Sequence, residues 1–374
     1  MAELALGAAA VWLLVLLLPW RPWSTRERIE PVAQGTPDAK RQRASVTALI
    51  PARNEAGTIR ETLASLLAQR GVERVIVVND QSDDETGAIA ASMPRTRVVT
   101  GKAAPPGWSG KLWAQQQGIE HVDTPLVLLL DADIRLAPGT VQALSRRLEE
   151  DNRDLVSVMA SLPASSGPEK LMLPAFVYFF KQLYPFAWVN RDDRPFAAAA
   201  GGCVLVYREM LERAGAFEAW RGALIDDCEL AGRVRAAGGS IWLGLSHGVR
   251  SMRRHPDLGS IMETIRRTAY TQLGYSPVLL VAVCAVMLVL FAVPPLALVV
   301  GTLCGEVLLA GAGCAGWLLM AAGYAPQVRF SGLGLQWALA LPASAMLFLF
   351  ATLDSAARHH FGRGAGWKGR NYGG

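Results

Sequence analysis

The sequence predicts an α/β protein with a Rossmann-like, mostly parallel, doubly wound sheet, and with transmembrane segments at both ends of the chain. Short apolar runs typical of buried strands alternate with helix-length segments between residues 45 and 167. Long apolar stretches with few charges lie on either side of that region. Hydrophobic residues make up 51% of the 374 residues, which is high for a purely soluble protein.

The N-terminal segment predicts an uncleaved membrane anchor. The chain is apolar from Leu4 to Trp20, and three arginines follow within the next eight residues. A signal peptide carries its charges before its apolar core, and the order here is the reverse. The basic flank places the residues that follow on the cytoplasmic side of the membrane. We assign residues 1–22 to the anchor and residues 23–44 to a polar linker.

Strands and helices alternate after the linker. The predicted strands cover residues 45–50, 74–78, 97–100, 126–130, 154–160, 201–209 and 240–246. The predicted helices cover residues 57–69, 84–92, 111–121, 140–150 and 226–237. Strands separated by helices of this length favour right-handed crossovers and flanking helices on a parallel sheet. We assign residues 45–275 to this domain.

Residues 168–189 are rich in aromatic residues and proline. Such a segment fits a helix that lies at a membrane surface or lines a lipid-binding groove. An ordinary core helix explains the same pattern equally well, and the sequence does not separate the two interpretations.

Three apolar runs follow Tyr275 and predict about three C-terminal membrane segments within residues 276–355. The runs cover residues 277–300, 306–325 and 333–353. Three full spans would place the C-terminus outside, whereas the basic tail, residues 356–374, favours the cytoplasm. Either one segment is re-entrant, or Pro294-Pro295 divides two short spans.

Composition excludes several classes of protein. The formal net charge is +5, and basic residues cluster beside the apolar segments rather than among aromatic residues, so we expect no nucleic-acid partner. The five cysteines form no Cys-x-x-Cys pair, which argues against a disulfide framework or a zinc site.

The candidate chemistry begins at Asp131-Ala132-Asp133, directly after the apolar run 126–130. Ligands of open α/β sheets bind beyond the carboxyl ends of such strands. Two carboxylates there can hold Mg²⁺ or Mn²⁺ against a phosphorylated ligand, because these hard cations prefer oxygen ligands. An acidic turn without function would look the same in isolation.

Four further polar motifs follow strands or open helices on the same predicted side of the sheet. They are Pro51-Ala52-Arg53-Asn54-Glu55, Asn79-Asp80-Gln81-Ser82-Asp83-Asp84, Gly110-Lys111 and Ile225-Asp226-Asp227-Cys228-Glu229-Leu230. Each motif alone is weak, since acidic residues also cap helices. Their order and placement together are much more specific.

These motifs resemble those of the family-2 inverting glycosyltransferases of the GT-A fold, over roughly residues 45–275. The resemblance implies that Asp131 and Asp133 bind a divalent metal and the sugar diphosphate, and that Asp227 is the catalytic base. It also implies a set of donor-binding residues: Pro51, Arg53, Glu55, Asp80, Lys111, Asp131, Asp133 and Arg266. Asp80 would contact the nucleotide base.

The resemblance can be narrowed to a subgroup of this family. GWSGKLWA (107–114), LYPFAWVN (183–190), AAAAGGCVLV (197–206), RGALIDDC (221–228), RTAYTQLGYSP (267–277) and GWKGR (366–370) resemble the hopanoid-biosynthesis-associated glycosyltransferases of bacteria. Gly201, Gly202 and Asp226 then become candidate acceptor contacts. Arg266 fits the first position of the Gln/Arg-x-x-Arg-Trp signature of processive relatives, but Ala269 and Tyr270 replace its Arg-Trp, which favours a single sugar transfer.

The expected function is a metal-dependent enzyme that moves a sugar from a nucleotide-sugar, in particular a UDP-sugar, to a membrane lipid. The lipid bilayer would be a partner, and the bacterial inner membrane the location, with the catalytic domain in the cytoplasm. A polyprenyl phosphate acceptor is an alternative that needs no base. A nucleotidyltransferase would need a glycine-rich loop after the first strand, which residues 51–55 lack. A non-catalytic scaffold would not need the four acidic residues Asp80, Asp131, Asp133 and Asp227.

Overall fold

The computed structural model describes residues 1–33 and 44–361, together with the backbone of residues 365–367 and 370–372. These residues form two compact units. The membrane unit comprises residues 1–26, residues 163–185 and the chain from residue 254 onward, and the sheet unit comprises residues 27–162 and 186–253. Residues 34–43 of the predicted linker, and the side chains of the predicted tail beyond residue 361, lie outside the described residues. The predicted domain boundaries remain predictions.

The sheet unit is built on a sheet that contains eight strands within the described part of the chain. The strands are β1 (Val46–Ala52), β2 (Val72–Asn79), β3 (Thr96–Thr100), β4 (Leu126–Leu130), β5 (Ile134–Leu136), β6 (Leu155–Ser161), β7 (Cys203–Tyr207) and β8 (Ile241–Ser251). Their order across the sheet is β3-β2-β1-β4-β7-β6-β8-β5. All of β1 and β4 is buried, which is why both strands are continuous apolar runs in the sequence.

The sheet is mixed: six of the eight described strands run in the same direction, as the mostly parallel prediction expects, and β5 and β7 run against them. Strands β3, β2, β1 and β4 are parallel, and β6 is parallel to β8. Strand β7 is antiparallel to both of its neighbours, and β5 is antiparallel to β8. An apolar run looks the same in either direction, so periodicity reveals a strand but not its orientation. Strand β5 has three residues and is too short for periodicity to detect.

The helices of the sheet unit are α2 (Ile59–Leu67), α3 (Thr86–Ala91), α4 (Gly110–Ile119), α5 (Thr140–Glu150), α7 (Phe186–Val189), α8 (Arg208–Arg213) and α9 (Asp226–Ala236). The five predicted helices, which are α2 to α5 and α9, agree with the prediction within two residues at each end. The short helices α7 and α8 were not predicted. Helix α5 shows why the pattern worked, because its buried residues Val141, Leu144 and Leu148 recur at helical spacing.

The membrane unit is mainly helical. Its helices are α1 (Ala2–Leu17), α6 (Gly167–Leu183), α10 (Leu258–Ala269), α11 (Pro277–Met287), α12 (Val293–Cys304), α13 (Val307–Phe330) and α14 (Leu341–His360). Within the described part of the chain, three stretches are long and apolar enough to cross a membrane: Pro277–Cys304, Val307–Phe330 and Leu335–His360. They confirm the three predicted C-terminal segments. Helix α1 has 16 residues and is shorter than a usual span, so the predicted N-terminal span is not confirmed.

Pro294-Pro295 does not divide the first of these stretches. A π-helical segment, Leu288–Ala292, carries the helix from α11 into α12. Because Pro294 has no N–H, the carbonyl of Leu290 loses its usual helical donor. The indole Nε1 of Trp12 donates to that carbonyl at 2.9 Å, and the Trp12 ring packs edge-to-face on Phe291 at 5.2 Å. Helix α1 is therefore packed into the membrane unit.

The aromatic segment 168–189 contains a core helix of the membrane unit. Helix α6 begins with a capping box, in which Ser166 and Glu169 satisfy each other's backbone N–H groups. Its Tyr178 ring lies 5.2 Å from the Tyr324 ring, and its Phe179 ring lies 4.9 Å from the Phe348 ring. Most of its aromatic surface is thus used in packing.

Candidate active site

The candidate site lies at the carboxyl ends of β1, β2 and β4. Ala52 pairs with Asn79, and Leu49 pairs with Leu129, so the loops after these strands emerge at one edge of the sheet. Asp80 follows β2 and Asp131 follows β4, two strand spacings apart, or roughly 10 Å. A nucleoside diphosphate can extend across such a distance. The predicted convergence of the motifs after β1, β2 and β4 at one edge is therefore found.

The Asp131-Ala132-Asp133 turn is fixed through its backbone. The N–H of Asp131 donates to the carbonyl of Gly202 at 3.1 Å, and the carbonyl of Asp133 accepts from the N–H of Met252 at 2.8 Å. The hydroxyl of Thr62 donates to the carbonyl between the two acids at 2.8 Å. These bonds leave the Asp131 carboxylate available to other groups, and 37% of its side chain is exposed.

Lys111 joins two of the motifs. It lies in the first turn of α4, where the helix dipole disfavours a cation, so its position requires acidic neighbours. Its Nζ lies 3.1 Å from Oδ1 of Asp131 and 3.0 Å from Oδ2 of Asp226. Burial alone would lower the pKa of Lys111, but the charges of Asp131, Asp226 and Asp227 raise it well above its ordinary value. The lysine is therefore a permanent cation.

Asp227 is held by backbone donors on both carboxylate oxygens. The N–H of Gly201 donates to Oδ2 at 2.7 Å, and the N–H of Cys228 donates to Oδ1 at 2.8 Å. Burial and the neighbouring charge of Asp226 raise the pKa of Asp227 to about 6, against the opposing effects of Lys111 and the two backbone donors. A carboxylate with this pKa is ionised at neutral pH and is a stronger base than an ordinary aspartate.

The glycine loop before β7 approaches the site closely. A Cβ on Gly201 would lie 3.2 Å from Oδ2 of Asp227 and 3.3 Å from Nζ of Lys111, so a side chain there would crowd both groups. The loop is fixed by Ser157, whose hydroxyl accepts from the N–H of Ala200 at 2.8 Å and donates to its carbonyl at 3.2 Å. Gly201 and Asp226, two of the candidate acceptor contacts, therefore lie beside the candidate base.

Sequence reasoning missed the groups that hold the acids in place. The backbone N–H groups of Gly201 and Cys228 and the hydroxyls of Ser157 and Thr62 bond to these segments, yet no motif marks them. Their partners are distant in sequence, and a buried hydroxyl has no spacing pattern of its own. The Gly201-Gly202 pair was the one available signal.

The loops after β1 and β2 are joined to each other. Nη1 of Arg53 donates to the carbonyl of Asp80 at 2.9 Å, and the N–H of Asp80 donates to the carbonyl of Ala52 at 2.8 Å. The N–H of Glu55 donates to Thr86 at 2.7 Å. Asp80 is only 1% exposed, so its predicted contact with a nucleotide base remains a prediction.

The other donor-binding predictions also stay predictions. Pro51 is buried near the end of β1. Arg266 belongs to α10 of the membrane unit. Its Nε lies 2.6 Å from Oδ2 of Asp354, and its Nη1 lies 3.5 Å from Oε2 of Glu263. The arginine thus has acidic partners of its own.

The charge of the site fits a divalent cation. Asp131, Asp226 and Asp227 surround the single ammonium of Lys111, and the neighbouring Asp133 adds a further carboxylate at the same turn. Among residues 1–33 and 44–361, no three His, Cys, Asp or Glu side chains are arranged to chelate a metal by themselves. A metal on Asp131 and Asp133 would therefore need oxygen ligands from a substrate, and a diphosphate offers them.

A mixed Rossmann-like sheet with flanking helices and acidic loops at its carboxyl edge agrees with the GT-A fold. Residues 47–215, less than half of the chain, match the family described as "Glycosyl transferase family 2". Asp226 and Asp227 lie beyond the matched residues, so their assignment depends on geometry and on the resemblance of their motif.

Individual proteins also resemble this chain. The chain is 37% identical over 116 residues to a 4,4'-diaponeurosporenoate glycosyltransferase of Staphylococcus aureus strain MRSA252, and 35% identical to that of strain USA300. Each match covers 30% of this chain and 31% of the relative, so the chain matches less than a third of their length. A mannosyltransferase from Pyrobaculum calidifontis, solved with GDP-Man and Mn²⁺, has a TM-score of 0.56 at 18% identity. It covers 96% of this chain and 98% of its own, which shows a shared fold.

Proposed function

We propose that this protein is a membrane-bound inverting glycosyltransferase that moves a single sugar from a nucleotide-sugar, in particular a UDP-sugar, to a lipid acceptor in hopanoid or related lipid biosynthesis. The observation that carries the proposal is the arrangement of Asp131, Asp226 and Asp227 around Lys111 at the carboxyl edge of the sheet. Retention of this cluster also argues against a scaffold without activity.

Asp227 is the proposed catalytic base. An acceptor hydroxyl must lose a proton as its oxygen attacks the anomeric carbon, and a carboxylate with a pKa of about 6 can accept that proton at neutral pH. The N–H groups of Gly201 and Cys228 orient the carboxylate and leave further lone pairs for the proton. A single attack from the face opposite the leaving group inverts the anomeric centre.

The leaving group is a nucleoside diphosphate, which gains negative charge as the glycosidic bond breaks. Lys111 can bind a phosphate oxygen and stabilise this charge. A divalent cation, Mg²⁺ or Mn²⁺, held by Asp131 and Asp133 would supply further neutralisation. The mannosyltransferase of the same fold was solved with Mn²⁺, which supports the choice of metal.

The lipid acceptor is proposed from the membrane unit and from the relatives. Three helical stretches are long and apolar enough to cross a bilayer, so we propose a bacterial inner-membrane location with the sheet unit in the cytoplasm. The Staphylococcus aureus relatives are named for a diaponeurosporenoate, a lipid-like compound. Both observations favour an acceptor that is dissolved in the membrane.

An anionic acceptor is a second candidate, favoured by that relative's name. A carboxylate, as in a diaponeurosporenoate, or a polyprenyl phosphate has no proton to lose at neutral pH, so its glycosylation would not require a base. The raised pKa of Asp227 favours the hydroxyl acceptor instead, because a tuned base would otherwise have no task.

A donor screen tests the proposal. Purified full-length protein is incubated with a bacterial lipid extract, Mg²⁺ or Mn²⁺, and single UDP- or GDP-sugars, and the lipids are analysed by mass spectrometry. We expect one nucleotide-sugar to yield a lipid that gains one sugar, and Asp227→Asn to form this product about 10²- to 10⁴-fold more slowly. Product formation by Asp227→Asn at the wild-type rate would assign an anionic acceptor. No glycosylated lipid with any donor would contradict the proposal.

A further inference from the structure

We propose that Lys111 occupies the metal-binding side of the site as a resident cation, and that it keeps a free divalent ion out until the nucleotide-sugar arrives. This inference rests on the proposed function, since it takes Asp131 as a metal ligand. It adds an order of binding: the nucleotide must come before the metal or together with it.

The position of the ammonium is the first observation. Nζ of Lys111 lies 3.1 Å from Asp131 and 3.0 Å from Asp226, so it bridges the carboxylate that would hold the metal and one that would not. The side chain of Asp131 is partly exposed, so a dissolved ion can reach its carboxylate. The competitor for this carboxylate is therefore the lysine itself.

The nature of the side chain is the second observation. Lysine carries a point charge on a flexible stem, so it can move between partners more easily than the planar fork of arginine. A diphosphate brings anionic oxygens to which Nζ can turn, and that movement would release Asp131. A Cβ on Gly201 would lie 3.3 Å from Nζ, so a side chain there would crowd the ammonium.

The consequence is a coupling between the two ligands. A metal ion that binds alone must break the charge-assisted contact between Lys111 and Asp131, and Lys111 then gains no new partner. With a nucleotide present, the lysine gains phosphate contacts instead. By linkage, the factor by which the nucleotide tightens metal binding equals the factor by which the metal tightens nucleotide binding.

Mn²⁺ binding to the purified full-length protein, followed by electron paramagnetic resonance, tests the inference. The variant is Lys111→Met, measured with Mn²⁺ alone and with Mn²⁺ plus saturating UDP. We expect it to bind Mn²⁺ alone about 5- to 150-fold more tightly than the wild type, the usual range for coupled sites. The enhancement produced by UDP should shrink by a similar factor. Lys111→Arg keeps the charge and should keep metal affinity low.

Two controls separate the possible failures. Lys102→Met removes an exposed lysine and should bind Mn²⁺ like the wild type. Asp131→Asn should lose Mn²⁺ binding in the presence of UDP. If Asp131→Asn binds Mn²⁺ normally, the proposed metal site is wrong, and the inference fails with it. If Asp131→Asn loses the metal but Lys111→Met binds Mn²⁺ alone no better than the wild type, only the resident-cation role is wrong.

A second inference comes from the membrane unit alone. We infer that the chain after α13 forms a re-entrant hairpin, made of the 3₁₀ segment Leu335–Ala340 and helix α14. The turn after Phe330 and the end of α14 at His360 would then lie on the same membrane face. Hydropathy alone counts three crossings from residue 277 to residue 360 and places those two points on opposite faces.

Helices α12 and α13 form a close antiparallel pair. Their contacts show which residues of the two helices lie at the same depth in the membrane. A Cβ on Gly301 would clash with the backbone N of Ala310, and a Cβ on Gly316 would lie 3.2 Å from Pro294. Moving along α13 away from its start therefore corresponds to moving back toward α11. Phe330 lies 14 residues beyond Gly316, about 21 Å at 1.5 Å per residue, close to the depth of the start of α11.

The chain then turns back along α13. Nε1 of Trp317, in the middle of α13, donates to the carbonyl of Leu339 at 3.1 Å. Helix α14 therefore begins at mid-depth and not at the depth of Phe330. The ring of Phe179 lies 4.9 Å from that of Phe348 and 5.6 Å from that of Phe291, so α14 passes the π-helical segment on its way.

The end of α14 lies beside the start of α11. The hydroxyl of Ser355 accepts from the N–H of Tyr270 at 3.2 Å, and Oη of Tyr270 lies 3.2 Å from Nε2 of His360. The ring of His359 stacks on Tyr275, two residues before α11, at 4.4 Å. Both ends of the hairpin thus reach the face from which the first membrane stretch departs.

Cysteine labelling in sealed vesicles of known orientation tests this topology. The native Cys304, exposed at the turn between α12 and α13, reports one face. Ser331→Cys and Phe361→Cys, each in a Cys304→Ser background, report the two ends of the hairpin. We expect an impermeant maleimide to modify both from the face opposite to Cys304. Labelling of residue 361 from the Cys304 face would establish three crossings and overturn the inference.

A fusion supplies an independent measurement if a labelled position does not react. Green fluorescent protein joined to the C-terminus should fluoresce in intact cells, because it folds only when it remains in the cytoplasm. Alkaline phosphatase joined at the same point should be inactive. The reverse pattern would contradict the re-entrant hairpin.

Discussion

The charged clusters of the two units differ in their charge balance. In the sheet unit, Lys111 faces three carboxylates. In the membrane unit, Arg266 and Arg358 each contact both Glu263 and Asp354, so two cations face two anions. A balanced group neutralises itself and needs no ligand. An acidic excess keeps one carboxylate basic and can attract a cation, so the excess distinguishes the candidate site from the balanced cluster.

The largest effect should come from removing the base. Asp227→Asn keeps the size of the side chain but cannot accept a proton, so we expect a loss of transfer to a hydroxyl acceptor of about 10²- to 10⁴-fold. The measurement is the initial rate of lipid glycosylation. Glu229→Gln, an exposed acid in the first turn of the same helix, is the matched control and should retain activity. Equal losses in both variants would indicate damage to α9 instead.

The pH dependence of kcat/KM should report the ionisation of Asp227. Because the pKa of Asp227 is raised to about 6, the base is ionised above that pH and protonated below it. We therefore expect kcat/KM to be level near neutral pH and to fall about tenfold for each pH unit below 6. A profile that stays level down to about pH 4, the ordinary range for aspartate, would contradict the raised pKa.

Breaking the balanced cluster should affect stability more than chemistry. Asp354→Asn leaves Arg266 and Arg358 with one carboxylate between them, and the half-buried Arg266 should make this cost about 1–3 kcal/mol. A lowered Tm with an unchanged KM for the nucleotide-sugar is the expected result. A large rise in KM would instead favour the predicted donor contact of Arg266. Asp123→Asn, at an exposed ion pair, should change Tm little.

The smallest effect should come from crowding the acidic cluster. Gly201→Ala places a Cβ 3.2 Å from Oδ2 of Asp227, so the carboxylate or the flexible end of Lys111 must shift by a few tenths of an ångström. We expect kcat to fall by a few-fold, roughly 1 kcal/mol in the barrier, with Tm nearly unchanged. Gly202→Ala, whose Cβ would meet only Ile134 at 3.4 Å, is the control. Equal rates for the two variants would show that the close approach has no role.

The sequence predicted the parts of the fold that depend on local pattern. The helices around β1 to β4 and the acidic motifs after β1, β2 and β4 lie where the pattern placed them. The orientation of β7 could not be predicted, because it depends on how the chain returns after α6 and α7. Asp131 and Asp227 were recognised from their motifs, whereas the pairing of Lys111 with Asp226 depends on two loops that meet only in the folded chain.

The bond from Trp12 to the carbonyl of Leu290 has a practical consequence for protein production. Shortened versions that begin at the catalytic region are often prepared to improve solubility. Here, deletion of the first 26 residues would leave the carbonyl oxygen of Leu290 without its indole donor in apolar surroundings. This should cost about 1–3 kcal/mol of folding stability. Affinity tags are better attached before an intact first helix, since the shortened protein should aggregate when detergent extracts it from the membrane.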